Sequence, residues 1–350
     1  MFFSKKTKGF FVEMNESSVL FARTSSAIAP MEVEDLRECP LGDEAAIVEV
    51  LKHLQPKRPP SGYMHSVVGV YPPRRLVRRH TLELKKMKEP GYMAEVFAQQ
   101  LRIEQDKYTL AMINSADGAD YDLAKASQKE VIFCGAPTEE INTVQMDLLN
   151  HGIFPERLEL GTVATLGALV DYLAFEKSKT PTLVLDVGNE TTHSFILSSA
   201  GVEASRPIPQ GLEAMVPVVQ KELGLKDEES ARKLFRSNTF DFTGMGPLLI
   251  KRLLKELQSS IGFYEVQTGQ SVGQVVCIQL SPKLSWLEGA LASSLGIANP
   301  KINAVPWLRS RNVVVPDALA STASDVRWFG LAALMTRYET QHGTPSEQKK

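Results

Sequence analysis

The chain reads as an α/β protein of two lobes built on a duplicated core, with an α+β module inserted into the first lobe. Length sets the first condition: 350 residues, 43% of them apolar and 23% charged, suffice for two hydrophobic cores. Repetition sets the second. An apolar strand, an acid, a short polar turn and another apolar strand recur in that order at Glu13 to Ser18 and at Asp186 to Thr192. The third is the stretch 72–150, whose own alternation of strands and helices makes a unit of domain size.

The first hairpin comprises a strand over 9–14, the turn Asn15-Glu16-Ser17-Ser18 and a return strand over 19–22. Ala46, Ile47, Val50, Leu51 and Leu54 recur at helical spacing and predict a helix over 43–54, ended by Gln55-Pro56 and the breaker-rich KRPPSG. A strand over 65–71 closes the first part of lobe 1, residues 1–71. Within 72–150 the pattern predicts an extended piece over 76–84, a helix over 93–104, a strand over 108–113, the loop ADGADYD, a strand over 130–135 and a helix over 138–151 started by Thr138. The chain returns to lobe 1 over 151–180 through an apolar helix, 163–176. A β-branched strand, 182–185, opens lobe 2, residues 181–315, and the second turn leads into a strand over 193–197. A helical subdomain over about 211–272 holds helices over 211–224, 227–237 and 248–262. A strand over 274–280, the loop Ser281-Pro282-Lys283-Leu284-Ser285 and a helix over 286–295 follow. In 316–350 a last helix, 324–337, returns to lobe 1, and the tail QHGTPSEQKK is polar enough to be disordered.

Composition excludes several function classes. With 39 basic against 41 acidic side chains and a formal charge of -2, the surface has no overall field to attract a phosphate backbone or an anionic membrane, so nucleic acid is not an expected partner. Three cysteines, Cys39, Cys134 and Cys277, lie far apart with no CxxC pair, which argues against a disulfide framework and a zinc site and fits a reducing compartment. The start, MFFSKKTKGFFVEM, lacks the continuous apolar region and cleavage site of a signal peptide. No apolar run is long enough for a direct membrane span. Membrane association is therefore expected through a partner, with Lys5, Lys6 and Lys8 beside Phe2 and Phe3 read as a solvated tail.

The paired turns suggest chemistry. Backbone N–H groups and hydroxyls in a tight turn cradle phosphate, and a carboxylate at the strand end holds magnesium through its waters. Two such turns facing across a cleft would clamp a nucleotide's phosphate tail. The candidate ligands are then Glu13, Asn15, Ser17, Ser18, Asp186, Gly188, Thr191 and Thr192, with Asp186 as the metal ligand. A plainer reading stands beside this one. Asp186 and Gly188 can form an ordinary Asx-type turn, Ser17 and Ser18 can be turn hydroxyls, and His193 a packed histidine. The basic run Arg74, Arg75, Arg78, Arg79 and His80 is a solvated edge or a contact for an anionic partner.

In order along the chain, these pieces resemble the PilM family of type IV pilus assembly proteins, part of the actin-like superfamily that also contains FtsA. GFFVEMNESSVLFAR resembles the family's first phosphate hairpin, LDVGNETTHSFIL its second, IQLSPKLSWLEGALASSLGI its adenosine strand, loop and helix, and WFGLAALMTR its closing helix. YPPRRLVRRHTLEL and EVIFCGAPTEEINTVQMDLLNHGIFPERLEL resemble its inserted subdomain, and GLEAMVPVVQKELGLKDEESARKLF the upper-lobe helices beside the adenosine. The resemblance implies a two-lobed actin-like, ribonuclease H-like fold, and ATP with magnesium in the cleft, with Ser281 and Lys283 at the adenosine loop. It also implies a cytoplasmic location peripheral to the inner membrane. The partners it implies are the N-terminal peptide of a PilN-like membrane protein and other pilus assembly components. An extended tail of that kind suits a groove between the inserted subdomain and the lobe that carries it.

The departures from the family pattern carry equal weight. Glu13 and Asn15 stand where aspartate and glycine are usual, and Pro282 and Lys283 where a glycine pair is usual. Leu160-Gly161-Thr162 replaces the element expected to supply a water-orienting acid, leaving Glu159 as a substitute, and Arg232 and Phe235 replace an acid and a lysine. A side chain at Asn15 obstructs close backbone approach, and proline removes an N–H. Phosphoryl transfer depends on such positioning and charge. The expectation is therefore a scaffold with weak or absent ATP binding. Two alternatives stand beside it: an active Mg-ATPase of the same family, with Asp186 on magnesium and Thr191 and Thr192 on phosphate, and an FtsA-like division or filament protein, which the short polar C-terminus disfavours.

Overall fold

In the computed structural model, which describes residues 7–55, 62–123, 128–237 and 239–336, two sheets share one design. Strands β1 (Gly9–Met14), β2 (Ser18–Thr24) and β3 (Met31–Pro40) form an antiparallel meander. Helix α1 (Glu44–Leu54) follows, its first turn capped by Asp43, whose carboxylate accepts from the Ala46 N–H. Strand β4 (Met64–Val70) then joins parallel to β1.

The insertion holds β5 (Leu76–Thr81), α2 (Tyr92–Glu95) continued by a π-helical turn to Leu101, β6 (Tyr108–Asn114), β7 (Glu130–Pro137) and α3 (Thr138–Asn150). Strand β8 (Ile153–Leu160) returns parallel to β4 and feeds α4 (Gly161–Phe175). In the second lobe β9 (Thr182–Val187), β10 (Thr192–Ser198) and β11 (Gly201–Ile208) repeat the meander. Helices α5 (Val216–Leu223), α6 (Glu228–Arg236), α7 (Gly246–Leu249) and α8 (Lys251–Thr268) follow. Strand β12 (Gln274–Ile278) adds parallel to β9 and leads to α9 (Ser285–Leu295). The chain ends with α10 (Ala304–Ser310), β13 (Val313–Val314), α11 (Asp317–Ala323) and α12 (Phe329–Thr336).

The sheet orders are β13-β3-β2-β1-β4-β8 and β11-β10-β9-β12. A meander followed by one parallel strand is common to both, which is the duplication. Along β9 and β10 the side chains alternate: Val184 and Phe195 face the core around α4 and α12, while Leu183, Leu185 and Ile196 face the helical subdomain. Helix α12 is buried from Phe329 through Met335, so it is apolar on every side.

The insertion forms a third sheet, β5-β7-β6, over a core that includes Phe97 and Phe133. It docks on the edge of the second lobe. The Arg79 N–H donates to Ser205 Oγ at 2.6 Å, and the Val202 N–H donates to the Ser115 carbonyl at 2.9 Å. Gly201, at φ +129°, lies so close that a Cβ there would be 2.3 Å from that same carbonyl oxygen.

Several expectations shift. The helix expected over 93–104 stops at Leu101 because Arg102 turns left-handed at φ 57°. The last helix is broken: Asp325 caps a 3₁₀ turn, Val326–Trp328, and α12 starts only at Phe329. The helix over 138–151 has Pro137 at its N-cap rather than Thr138. Strands β3 and β11 and helices α10 and α11 have no counterpart among the expected elements; in β3 a register shift between Val33 and Asp35 breaks the alternation, so that Met31 and Val33 face the core around α12 while Asp35 and Cys39 face the side of α1. Within the stretch 181–315, β13 pairs with β3 of the first sheet, and Trp307 of α10 joins the core around α4. Residues 57–61 of KRPPSG, Phe2, Phe3, Lys5, Lys6, Arg337 and the tail lie outside the described residues. Among the described residues no helix is long and apolar enough to cross a membrane.

Candidate functional site

The two hairpins are equivalent in register and meet across a cleft. Met14 pairs with Val19 and Val187 with Thr192, so Asn15–Ser18 and Gly188–Thr191 are matching loops, and Glu13 and Asp186 each stand one residue before the closing pair. The loops touch directly: Glu16 Oε2 accepts from the Asn189 N–H at 2.9 Å. Gly188 makes room for this carboxylate, since a Cβ there would be 2.9 Å from Glu16 Oε1.

Opposite that contact, Arg75 enters from the insertion. The side chains of Arg75 and Asp186 are only 2% and 3% exposed. Nη2 and Nε donate to Asp186 Oδ2 at 2.6 and 3.2 Å, Nε also reaches Thr162 Oγ1 at 3.0 Å, and Nη1 donates to the Pro72 carbonyl at 3.1 Å. The Thr162 hydroxyl donates to the same Asp186 oxygen at 2.7 Å. Glu16 Oε1 lies 3.9 Å from Nη1, and the guanidinium carbon 5.5 Å from the centre of the Tyr71 ring. Burial by itself would lower the Arg75 pKa, but the charge and hydrogen bonds of Asp186 hold it above its ordinary value.

On the first hairpin, Asn15 uses its own turn. Its Oδ1 accepts from the Ser17 and Ser18 N–H groups at 2.9 and 2.8 Å and from Ser17 Oγ at 3.0 Å, and its Nδ2 donates to Gln279 Oε1 at 2.6 Å. Gln279, at φ 61° just beyond β12, donates through Nε2 to Tyr71 Oη at 2.8 Å and to Glu13 Oε1. Glu13 is fully buried, and its Oε2 has no hydrogen-bond partner among the described residues. Desolvation raises its pKa to about 8, against opposing hydrogen bonds from Gln279 and Tyr71, so it is a neutral acid at pH 7.

The remaining candidates lie as follows. Thr192 Oγ1 donates to the Gln210 carbonyl at 2.7 Å, and the Thr191 carbonyl accepts from the Gly188 N–H at 3.0 Å. Ser281 lines the cleft, while Lys283 is exposed and its Nζ donates to the carbonyl of Arg236, whose own guanidinium donates to Asn189 Oδ1 at 3.3 Å. His193 is buried on the sheet face it shares with Asp186, and desolvation beside Arg75 lowers its pKa to about 4, which makes it a packed neutral residue. Glu159 pairs with Arg157 at 2.5 Å along β8 rather than standing in for a cleft acid. Arg232 pairs with Glu213 at 2.9 Å, and Phe235 packs edge-on against Phe242.

The basic run is not a solvated edge at Arg75, which is the correction with the largest consequence. Arg74 is exposed and paired with Glu140, Arg79 pairs with Glu130 at 2.8 Å, and Arg78 and His80 are half-buried. Sequence reasoning also missed the roles of Glu16, Tyr71, Thr162 and Gln279: Glu16 sits in the first turn and Thr162 just after Leu160-Gly161, but neither residue type stood out there as a ligand, and the positive φ of Gln279 becomes visible only in the structure.

Magnesium and ATP do not fit this arrangement. One carboxylate oxygen of Asp186 is held by a guanidinium and a hydroxyl, the Asn189 N–H by a carboxylate, and the first turn's N–H groups by Asn15 Oδ1. What remains between the hairpins is a cavity of about 60 Å³, far below a usual ligand pocket of roughly 300–1,000 Å³.

A second concavity, of about 950 Å³, separates the insertion from the first lobe. Val163, Ala164 and Val170 of α4, Leu110 of β6 and Leu158 and Leu160 of β8 line it. Strand β6 ends its sheet, and its far edge is partly covered by the ADGADYD loop: Asn114 N–H donates to the Ala119 carbonyl at 2.8 Å and Tyr121 N–H to the Met112 carbonyl at 2.9 Å. The main-chain groups of Leu110, two residues back, point to that same edge beyond the loop's cover. Asp117 and Asp120 stand exposed at the mouth.

No protein-family model matches this sequence, and no curated protein matches it. Among solved structures, a chain of a PilM-PilN type IV pilus biogenesis complex aligns over 95% of this chain and 98% of its own length, at TM-score 0.65 and 19% identity. The fold is the actin-like one. The ethanolamine utilization protein EutJ from Carboxydothermus hydrogenoformans aligns at TM-score 0.44 and 12% identity over 94% of this chain and 90% of its own. A Bacteroides thetaiotaomicron protein with an actin-like ATPase fold aligns at TM-score 0.44 and 9% identity over 96% and 98%.

Two outcomes follow from the cleft. Arg75→Met keeps volume but leaves Asp186 a buried, unpaired carboxylate, and urea unfolding should read a loss of about 3–5 kcal/mol. Glu13 has a folded pKa raised from 4.5 to about 8, so its contribution is complete below pH 4.5 and is lost as pH rises toward 8, at up to about 1.4 kcal/mol per pH unit. Stability measured from pH 5 to 8 should therefore fall more steeply in the wild type than in Glu13→Gln.

Proposed function

We propose that this chain is a cytoplasmic scaffold of type IV pilus assembly that captures the N-terminal tail of a PilN-like inner-membrane protein, with little or no ATP binding. The groove beside α4 carries the reading. It is long, mostly apolar and bordered by the open edge of β6, which suits an extended peptide that adds main-chain hydrogen bonds at Leu110 and places alternate side chains on the α4 surface. The acids Asp117 and Asp120 at its mouth favour a cationic residue of the tail. The fold shared with a chain of a PilM-PilN complex supports the choice of partner. Held to the membrane only by that tail, the protein would sit at the inner face and link the pilus machinery to its cytoplasmic components.

Calorimetric titration with the N-terminal peptides of the inner-membrane pilus proteins tests this. One peptide should bind, and Ala164→Trp, which fills the groove, should weaken it at least about tenfold, or about 1.4 kcal/mol, with the melting temperature unchanged. Equal binding by the filled groove, or no binding by any of these tails, would remove the scaffold reading.

A further inference from the structure

We propose that Arg75 and Glu16 are built-in replacements for the divalent cation and the phosphate that bridge the two hairpins in clefts of this kind, so that the closed arrangement needs no ligand. The inference rests on the geometry of the cleft and uses the groove reading only for its consequence. Each group sits on the partner that the corresponding ligand would use. Arg75 places positive charge on Asp186, the carboxylate suited to a hydrated cation, at 2.6 Å. Glu16 places a carboxylate on the Asn189 N–H at 2.9 Å, in a turn whose glycine admits close approach. The two replacements also face one another at 3.9 Å, as a metal and its phosphate would.

The three bodies they join are distinct. Glu16 comes from the first lobe, Asp186 and Asn189 from the second, and Arg75 from the start of the insertion. Losing either bridge should loosen the seam where β5 meets β11, marked by the Arg79 to Ser205 and Val202 to Ser115 bonds. On the groove reading, the same seam holds one wall of the tail site, so the groove would stay formed whatever the nucleotide supply.

The test is crossed ion rescue, read by melting temperature and by hydrogen exchange of the amides in β5 and β11. The full-length wild type should be indifferent to millimolar magnesium chloride, pyrophosphate or Mg-ATP. Arg75→Ala, which leaves Asp186 and Glu16 facing a vacant cation position, should exchange at the seam at least tenfold faster. Magnesium chloride should return it toward wild type, while potassium chloride of equal ionic strength should not. Glu16→Ala should show the converse: pyrophosphate without metal should restore it, because Arg75 still supplies the cation.

A wild type protected by Mg-ATP, seam exchange that neither substitution alters, or ions that rescue neither variant would each overturn the proposal. If Arg75→Ala does not fold in any salt, Glu16→Ala decides, since Glu16 is 29% exposed and its loss leaves the Arg75–Asp186 pair in place. Failure of rescue would leave the tail-binding result untouched, and failure of tail binding would leave rescue interpretable.

Discussion

The structure depends most on one buried ion pair, between Arg75 and Asp186. Removing two charges from water is expensive, and mutual attraction offsets this only when the remaining donors and acceptors are also satisfied. Here they are: Thr162 bridges both groups, the Pro72 carbonyl takes another guanidinium N–H, and the Tyr71 ring lies alongside. Pro72 and Pro73 stiffen the backbone ahead of Arg74, and the Arg75 N–H closes a turn onto the Pro72 carbonyl at 3.1 Å, which fixes where the side chain leaves the backbone. Such a pair adds less to total stability than to uniqueness, because any other placement of the insertion leaves a buried aspartate without its counter-charge.

The two hairpins show how one local design diverges once its surroundings differ. They have the same register and loop length, yet Glu13 is a neutral acid held by an amide and Asp186 a carboxylate held by a guanidinium. The extra methylene of Glu13 carries its carboxyl toward Gly330 of α12, where a Cβ would be 2.4 Å from Oε2. One carboxyl oxygen therefore meets the interior of the first lobe, while the other is held by Gln279 of the second. Asn15 then turns its side-chain oxygen on the Ser17 and Ser18 N–H groups and occupies them.

Much of this was legible in the sequence because it is local. The two hairpins, helix α1 and the strands of the insertion announce themselves through periodicity and turn residues within a dozen positions. Arg75 was not legible, since nothing in YPPRRLVRRHTLEL separates it from its basic neighbours; its burial is decided by Asp186, far along the chain, and by Thr162. Glu16 was hidden for the same reason, in a turn where a solvated carboxylate is the ordinary outcome. Strand β3 escaped because a register shift between Val33 and Asp35 moves its buried residues from one face of the sheet to the other and breaks the period of two.

The cleft and the groove share a wall. Strand β5 continues directly from Arg75 and lies in one sheet with β6, which borders the groove, while its outer edge rests on β11 of the second lobe. Helix α4 completes the link, since Thr162 in its first turn holds Asp186 and Val163 and Ala164, the next residues, line the groove. A rotation of the second lobe away from the first would thus have to break Arg75 from Asp186 and shift β6 relative to α4 together. Where a ligand supplies the bridge, that coupling makes the groove conditional on the ligand. A bridge made of the chain's own side chains would make the groove independent of any ligand, and here that bridge needs only a carboxylate in an exposed turn and one buried arginine.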